Sequence, residues 1–83
     1  MNKEEVILGI QKCIKKVLKW DVSQIDVAGN LKDDYGADSL DIFWLRTEVE
    51  EFFDIVFNEE NLAHLLTVED IANEIIKIKK GDL

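Results

Sequence analysis

The chain has 83 residues, 47% of them hydrophobic, with one cysteine, no proline and a formal net charge of −8. So short a chain is expected to form a single domain over 1–83, stable by roughly 4 to 12 kcal/mol on the usual per-residue scale. A lone cysteine excludes an intramolecular disulfide and a multi-cysteine zinc cluster. No stretch approaches the ~18 apolar residues of a membrane span, and Met-Asn-Lys-Glu-Glu at the start lacks the apolar run of a secretion signal. A soluble, cytoplasmic protein is expected.

The charge is unevenly placed. Residues 1–20 carry five lysines and two glutamates (+3), residues 21–60 twelve acids against Lys32 and Arg46 (−10), and residues 61–83 four acids and three lysines (−1). An acidic middle argues against nucleic acid, whose phosphates need cationic partners, and for basic protein partners steered from a distance.

Over residues 3–19, Val6, Ile10, Cys13, Ile14, Val17 and Leu18 recur at spacings of three and four, which predicts an amphipathic helix with Cys13 packed as a small hydrophobe. Trp20 and Asp21 end it. The connection through Ala37, about seventeen residues, is long for a compact domain and is expected to be functional or packed down by Val22, Ile25, Val27 and Leu31. It closes on Gly36-Ala37-Asp38-Ser39-Leu40-Asp41. Asp38 can cap the next helix and Asp41 can reach back in a capping box, which puts Ser39 in the first turn with its hydroxyl near water. The free N–H groups and dipole of that turn favour an anion such as a phosphate ester on the serine oxygen.

The second helix, Ser39 to Phe53, is apolar on two sides. Ile42, Leu45, Val49 and Phe53, with Phe52 at the edge, form one stripe suited to the core. Leu40, Phe43, Trp44 and Thr47 fall opposite, beside Glu50 and Glu51, and read as an acid-rimmed docking face; the alternative folds Phe43 inward and leaves Leu40 and Trp44 outside. In the connection Asp54 to Asn58, Ile55, Val56 and Phe57 are expected in the core. A short helix follows from Glu59 to Leu65 with Asn58 as cap. Thr67-Val68-Glu69-Asp70 reads as a capping box for the last helix, which turns Val68, Ile71, Ala72, Ile75, Ile76 and Ile78 inward. Lys77, Lys79 and Lys80 complement its C-terminal dipole before Gly81. The expected fold is all-α: a small four-helix bundle of three longer helices and one short one, with a long loop between the first and second.

Catalytic chemistry is absent from the pattern. Acyl transfer needs a nucleophile with a base in reach, and no pattern ties the only histidine, His64, to Ser39. Asp33 and Asp34 could attract a cation loosely, but the ligand ladder, glycine and closing glutamate of a calcium loop are missing, so no metal site is expected. No phosphate-binding glycine loop is present. The chain reads as a protein that presents a group for others to act on, and not as an enzyme.

With these residues assembled, the sequence resembles the acyl carrier proteins, the phosphopantetheine-bearing carriers of fatty acid and polyketide synthesis. The likeness runs through the first helix, the long loop, the six residues Gly36 to Asp41, the helix ending Val49-Glu50-Glu51-Phe52-Phe53-Asp54-Ile55, and Leu66-Thr67-Val68-Glu69-Asp70-Ile71. The Asp38-Ser39-Leu40 form points to the acyl branch and not to amino acid carriers. The resemblance implies that Ser39 accepts phosphopantetheine from coenzyme A through a separate phosphopantetheinyl transferase. It implies that the arm's thiol holds acyl groups as thioesters, that the bundle shelters the chain between its helices, and that acyl-handling enzymes with basic patches dock on Asp38, Leu40, Asp41, Glu50 and Glu51. The departures are Trp44, where an acid is usual, and Arg46 and Thr47, where apolar residues are usual. They suggest a specialised carrier tuned to dedicated partners through Trp44 and Arg46; a monomer is expected. The competing reading is an unmodified interaction module on the same fold.

Overall fold

The computed structural model describes residues 2–81. They form three α-helices, α1 (Lys3–Leu18), α2 (Ser39–Phe53) and α3 (Val68–Gly81), and two 3-10 helices, Val22–Gln24 and Glu59–His64. No strand occurs among the described residues. The three long helices and the short one before the last are as expected from sequence, except that the short one is wound as a 3-10 helix. The turn Val22–Gln24 is an addition inside the long connection. It forms because the Asp21 carboxylate accepts both the Ser23 hydroxyl (2.7 Å) and the Ser23 N–H (3.1 Å). Those hydrogen bonds hold the Asp21 carboxyl below its ordinary range.

Each helix starts on a side-chain cap. Asn2 Oδ1 accepts the Glu5 N–H at 2.9 Å, and Thr67 Oγ1 accepts the Asp70 N–H at 2.9 Å, the forward half of the expected box. α1 and α2 stop at Lys19 and Asp54, both left-handed (φ 63° and 56°), each returning its N–H to the last turn.

α1 is the element against which both α2 and α3 pack. Its buried face is Val6, Gly9, Ile10, Cys13 and Ile14, and it meets Leu45, Val49 and Phe53 of α2 and Val68, Ile71, Ala72 and Ile75 of α3 in one core. Gly9 is required there by space: a Cβ would lie 2.5 Å from Phe53 Cζ and 2.9 Å from Phe52 Cε1. Two ion pairs tie the helices at the surface, Lys3 with Glu69 (3.0 Å) and Lys16 with Glu48 (2.7 Å). Cys13 is 1% exposed. Burial, reinforced by nearby Glu48 and opposed by Lys16, pushes its thiol up to about 11.

The long connection is packed down. Leu31 and Ala37 are buried, Val22, Ile25, Val27 and Tyr35 are half-buried, and the Tyr35 hydroxyl accepts the Asp26 N–H at 2.7 Å. The segment is also stitched to the start of α3, Leu31 N–H to Leu66 O (2.8 Å) and Glu69 N–H to Val27 O (2.9 Å). These bonds satisfy backbone groups that a buried loop would otherwise strand.

One core assignment changes, and one edge position is as expected. Val56 is 80% exposed while Ile55 and Phe57 are buried. The chain is outside any helix here, and burial alternates along it, so only every second side chain faces in. Phe52 is half exposed at the edge of the α1–α2 contact, packed edge-on against Phe53.

Candidate attachment site and adjoining cavity

Ser39 is the first residue of α2 and is exposed. The cap before it is reciprocal: Asp38 Oδ1 accepts the Asp41 N–H (2.8 Å) and Asp41 Oδ2 accepts the Asp38 N–H (3.1 Å). The two carboxylates thereby hold the turn from either side and leave the serine hydroxyl free to face solvent. Gly36 adopts φ +77°, a left-handed conformation costly for residues with a Cβ, although a Cβ there would meet nothing within 4 Å. Its absent side chain therefore serves the backbone turn.

Beyond the first turn, α2 presents three faces. Leu45, Val49 and Phe53 are buried in the core. Leu40, Trp44, Thr47 and Glu51, spaced four, three and four apart, share the outward face; Leu40 is 60% and Trp44 51% exposed. The Thr47 hydroxyl is engaged internally, donating to Phe43 O at 3.0 Å. Between these lies a third stripe, Ser39, Phe43, Arg46 and Glu50, again four, three and four apart, which sequence periodicity had merged with the outward face. Phe43 divides the two expectations for it: it lines a cavity and yet remains 45% exposed.

That cavity, about 270 Å³, opens between α2 and the segment leading into α3. Ser39, Ile42, Phe43, Leu45, Arg46 and Val49 form its α2 side; Phe57, Leu62, Leu65 and Ile71 form the other. The walls are apolar except for two groups, the serine at one end and the guanidinium. Arg46 lies over the Phe43 ring, 5.0 Å from ring centroid to Cζ, and its Nε stands 4.0 Å from Glu50 Oε1. Glu50 cannot swing closer freely, because its Oε2 accepts the Phe57 N–H at 2.8 Å. The Arg46 Nε is left buried without a hydrogen-bond partner among the described residues, an arrangement that ordinarily costs roughly 1 to 3 kcal/mol.

The site residues expected from sequence therefore divide. Ser39, Asp38, Leu40, Asp41, Trp44 and Glu51 gather at the start and outward face of α2. Arg46 instead lines the cavity with Glu50 beside it, and Thr47 lies half-buried on the outward face. The bond from the Phe57 N–H gives Glu50 a structural role that adjacent sequence does not signal. His64 is exposed on the 3-10 helix. Among the described residues no three metal-binding side chains cluster, and no helix is long and apolar enough to cross a membrane.

The family model described as "Phosphopantetheine attachment site" matches residues 9–75, which is most of the chain. The chain belongs to the acyl carrier protein family. An acyl carrier protein of an Exiguobacterium species is 37% identical over 72 residues, covering 87% of this chain and 91% of the relative. That of Thermotoga maritima is 34% identical over 76 residues, covering 92% and 94%. Among solved structures, one assigned as an acyl carrier protein from Mycobacterium tuberculosis superposes with a TM-score of 0.77 at 32% identity, covering 87% of this chain and 96% of that one. As a member, this carrier holds phosphopantetheine covalently, and the site fits such a group. An exposed hydroxyl at a helix start and an apolar cavity beside it are what a tethered, acylated arm requires.

Proposed function

We propose that Ser39 is the attachment residue and that the carrier presents acyl thioesters on its arm to enzymes of fatty acid, polyketide or related specialised biosynthesis. The observation that carries this reading is the position of Ser39: exposed on the first turn of α2, behind its reciprocal cap, and lining the cavity. In the transfer, Ser39 Oγ loses its proton and bonds to the phosphorus of the arm as coenzyme A gives up its nucleotide part, on a separate phosphopantetheinyl transferase. The bound arm supplies the thiol. Asp38 and Asp41 hold the turn, and the N–H groups of Ser39 and Leu40 favour the phosphate that results.

The carrier acts without catalysing a reaction itself, as one domain over 1–83, monomeric and cytoplasmic, without nucleic acid. Partners with basic patches, the transferase and acyl-handling enzymes, dock on Asp38, Leu40, Asp41, Trp44 and Glu51, with Arg46, Thr47 and Glu50 at the rim. A tryptophan at the centre of that face provides an apolar anchor and makes this a specialised carrier; full turnover when it replaces a general carrier in a reconstituted fatty acid synthase would contradict specialisation. The decisive measurement is intact mass after incubation with coenzyme A and a broad-specificity transferase. Wild type gains one phosphopantetheine and Ser39→Ala gains none. Folded wild type without a gain would instead favour an unmodified interaction module.

A further inference from the structure

Charge is segregated along α1. Glu4 and Glu5 occupy its first turn, while Lys12, Lys15 and Lys16 follow in its second half and Lys19 is its C-cap, all of them exposed. With 3.6 residues per turn, Lys12 and Lys15 fall on the side of the helix opposite Ile10, which is fully buried. Lys16, nearer the α2 contact, is paired with Glu48 and sits in the field of Glu51. Among the described residues, Lys12, Lys15 and Lys19 enter no ion pair. In a chain of net charge −8 they make a cationic strip about 10 Å long at 1.5 Å per residue.

A depression of about 390 Å³ adjoins this strip, lined by Lys15, Lys19, Trp20, Asp21 and Val22. Trp20 and Val22 are half-buried against the core, and the Trp20 ring leans on Tyr35 with centroids 6.3 Å apart, so packing holds both in place. Asp21 is the acid in the lining. Its carboxylate is already engaged by the Ser23 N–H and hydroxyl. The depression therefore offers apolar surface, extended by the methylene stems of two lysines, together with their ammonium groups.

These features define what the surface fits. Carboxylates suit the unpaired lysines, and a large apolar side chain suits the Trp20 and Val22 lining. An anionic bilayer fits less well, because a plane laid along α1 would also meet Glu4 and Glu5 and would be opposed by the net charge. A narrow acidic stretch of polypeptide reaches the lysines without meeting those glutamates.

We propose that the lysine strip and the Trp20 depression form a second docking surface, which takes an acidic segment of a partner protein carrying a large apolar side chain. It selects a charge opposite to that suited to the acidic face of α2 and shares no residue with it. A carrier held through α1 keeps Ser39 and α2 available to an enzyme. The surface does not depend on attachment of the arm at Ser39.

The test titrates the isotope-labelled, full-length protein at low salt with a short peptide of glutamates around one central phenylalanine, followed by proton–nitrogen correlation spectra. The amides of residues 15–22 and the Trp20 indole N–H are expected to shift, while the Trp44 indole and the Glu51 amide stay in place; Trp20→Phe identifies the indole resonance. Replacing the peptide's phenylalanine by glycine should weaken binding several-fold. Lys15→Glu combined with Lys19→Glu, two exposed positions, should weaken it by about tenfold or more. Protein bearing phosphopantetheine and protein without it should bind equally, so failure of attachment at Ser39, read by intact mass, leaves this result standing. Absence of binding, shifts centred on other residues, indifference to the central phenylalanine or undiminished binding by the double variant would each overturn the proposal. So would capture of the protein by phosphatidylglycerol vesicles without binding of the peptide, which would assign the strip to a lipid surface.

Discussion

Glu50 and Glu51 are neighbours with different tasks. Glu51 is exposed on the outward face of α2, whereas Glu50 turns to the Phe57 N–H and pairs loosely with Arg46. A hydrogen bond to a charged group contributes roughly 1.5 to 3 kcal/mol, so Glu50→Lys should lower stability by about that much and bring two cations together. Glu51→Lys should leave thermal unfolding nearly unchanged, and both should weaken binding to a basic partner. Equal midpoints for the two variants would contradict the role given to Glu50. Cys13 supplies a pH test. Its thiol keeps its proton to about 11 in the folded state and to 9.0 when unperturbed. The folded state therefore binds more protons between those values, and stability falls as pH rises through that window. Lys16, raised by its hydrogen bond to Glu48, adds loss of the same sign at alkaline pH. Urea unfolding from about pH 8 to about pH 11 should show the decline, and Cys13→Ala should flatten it without abolishing it.

At the scale of elements, Gly9 sets how closely α1 and α2 approach. Alanine is the better helix former by about 1 kcal/mol, yet its Cβ would fall 2.5 Å from Phe53 Cζ, in a ring held by the core. Gly9→Ala should therefore destabilise the fold, by roughly 1 to 3 kcal/mol as overpacking usually does. Phe53→Leu, itself destabilising, should remove most of the additional cost, which a double-mutant cycle in chemical denaturation would measure. This contact was not legible in the sequence, where Gly9 is only a weak spot in a helical pattern. The helices and their caps were legible because capping and apolar periodicity are set within a few residues, as at Asp38 and Asp41. Leu45, Val49, Ile71 and Ile75 were legible for the same reason. The 3-10 winding of Glu59–His64, the outward turn of Val56 and the anchoring of Glu50 depend on where the chain goes next. Arg46 was placed on the docking face by its position in the family resemblance; periodicity alone does not reveal that the stripe through Ser39, Phe43 and Arg46 borders a cavity.

Over the whole molecule, the charge is arranged as a dipole, with +3 on residues 1–20 and −10 on residues 21–60. A basic enzyme is therefore drawn toward the part of the carrier that holds Ser39, and repelled by the lysine-rich α1. Association with the transferase should slow by roughly tenfold or more as ionic strength rises from about 0.01 M to about 0.15 M, as the Debye length shrinks from about 30 to about 8 Å. Stopped-flow measurement would show it, and a rate insensitive to salt would contradict acidic docking. Dissociation should change much less, because the apolar contact proposed for Leu40 and Trp44 is not screened by salt.

The seal over Cys13 has a consequence for fidelity. A thioester migrates to any thiolate that can reach it, and thiolate is the reactive form of cysteine. A carrier with a second accessible sulfur would acylate itself, parking cargo where no enzyme could collect it. Here the protein's own thiol is both walled into the helix interface and kept protonated at neutral pH. The arm's thiol is then without an internal competitor, and an acyl group once loaded leaves only by an enzyme's hand or by hydrolysis.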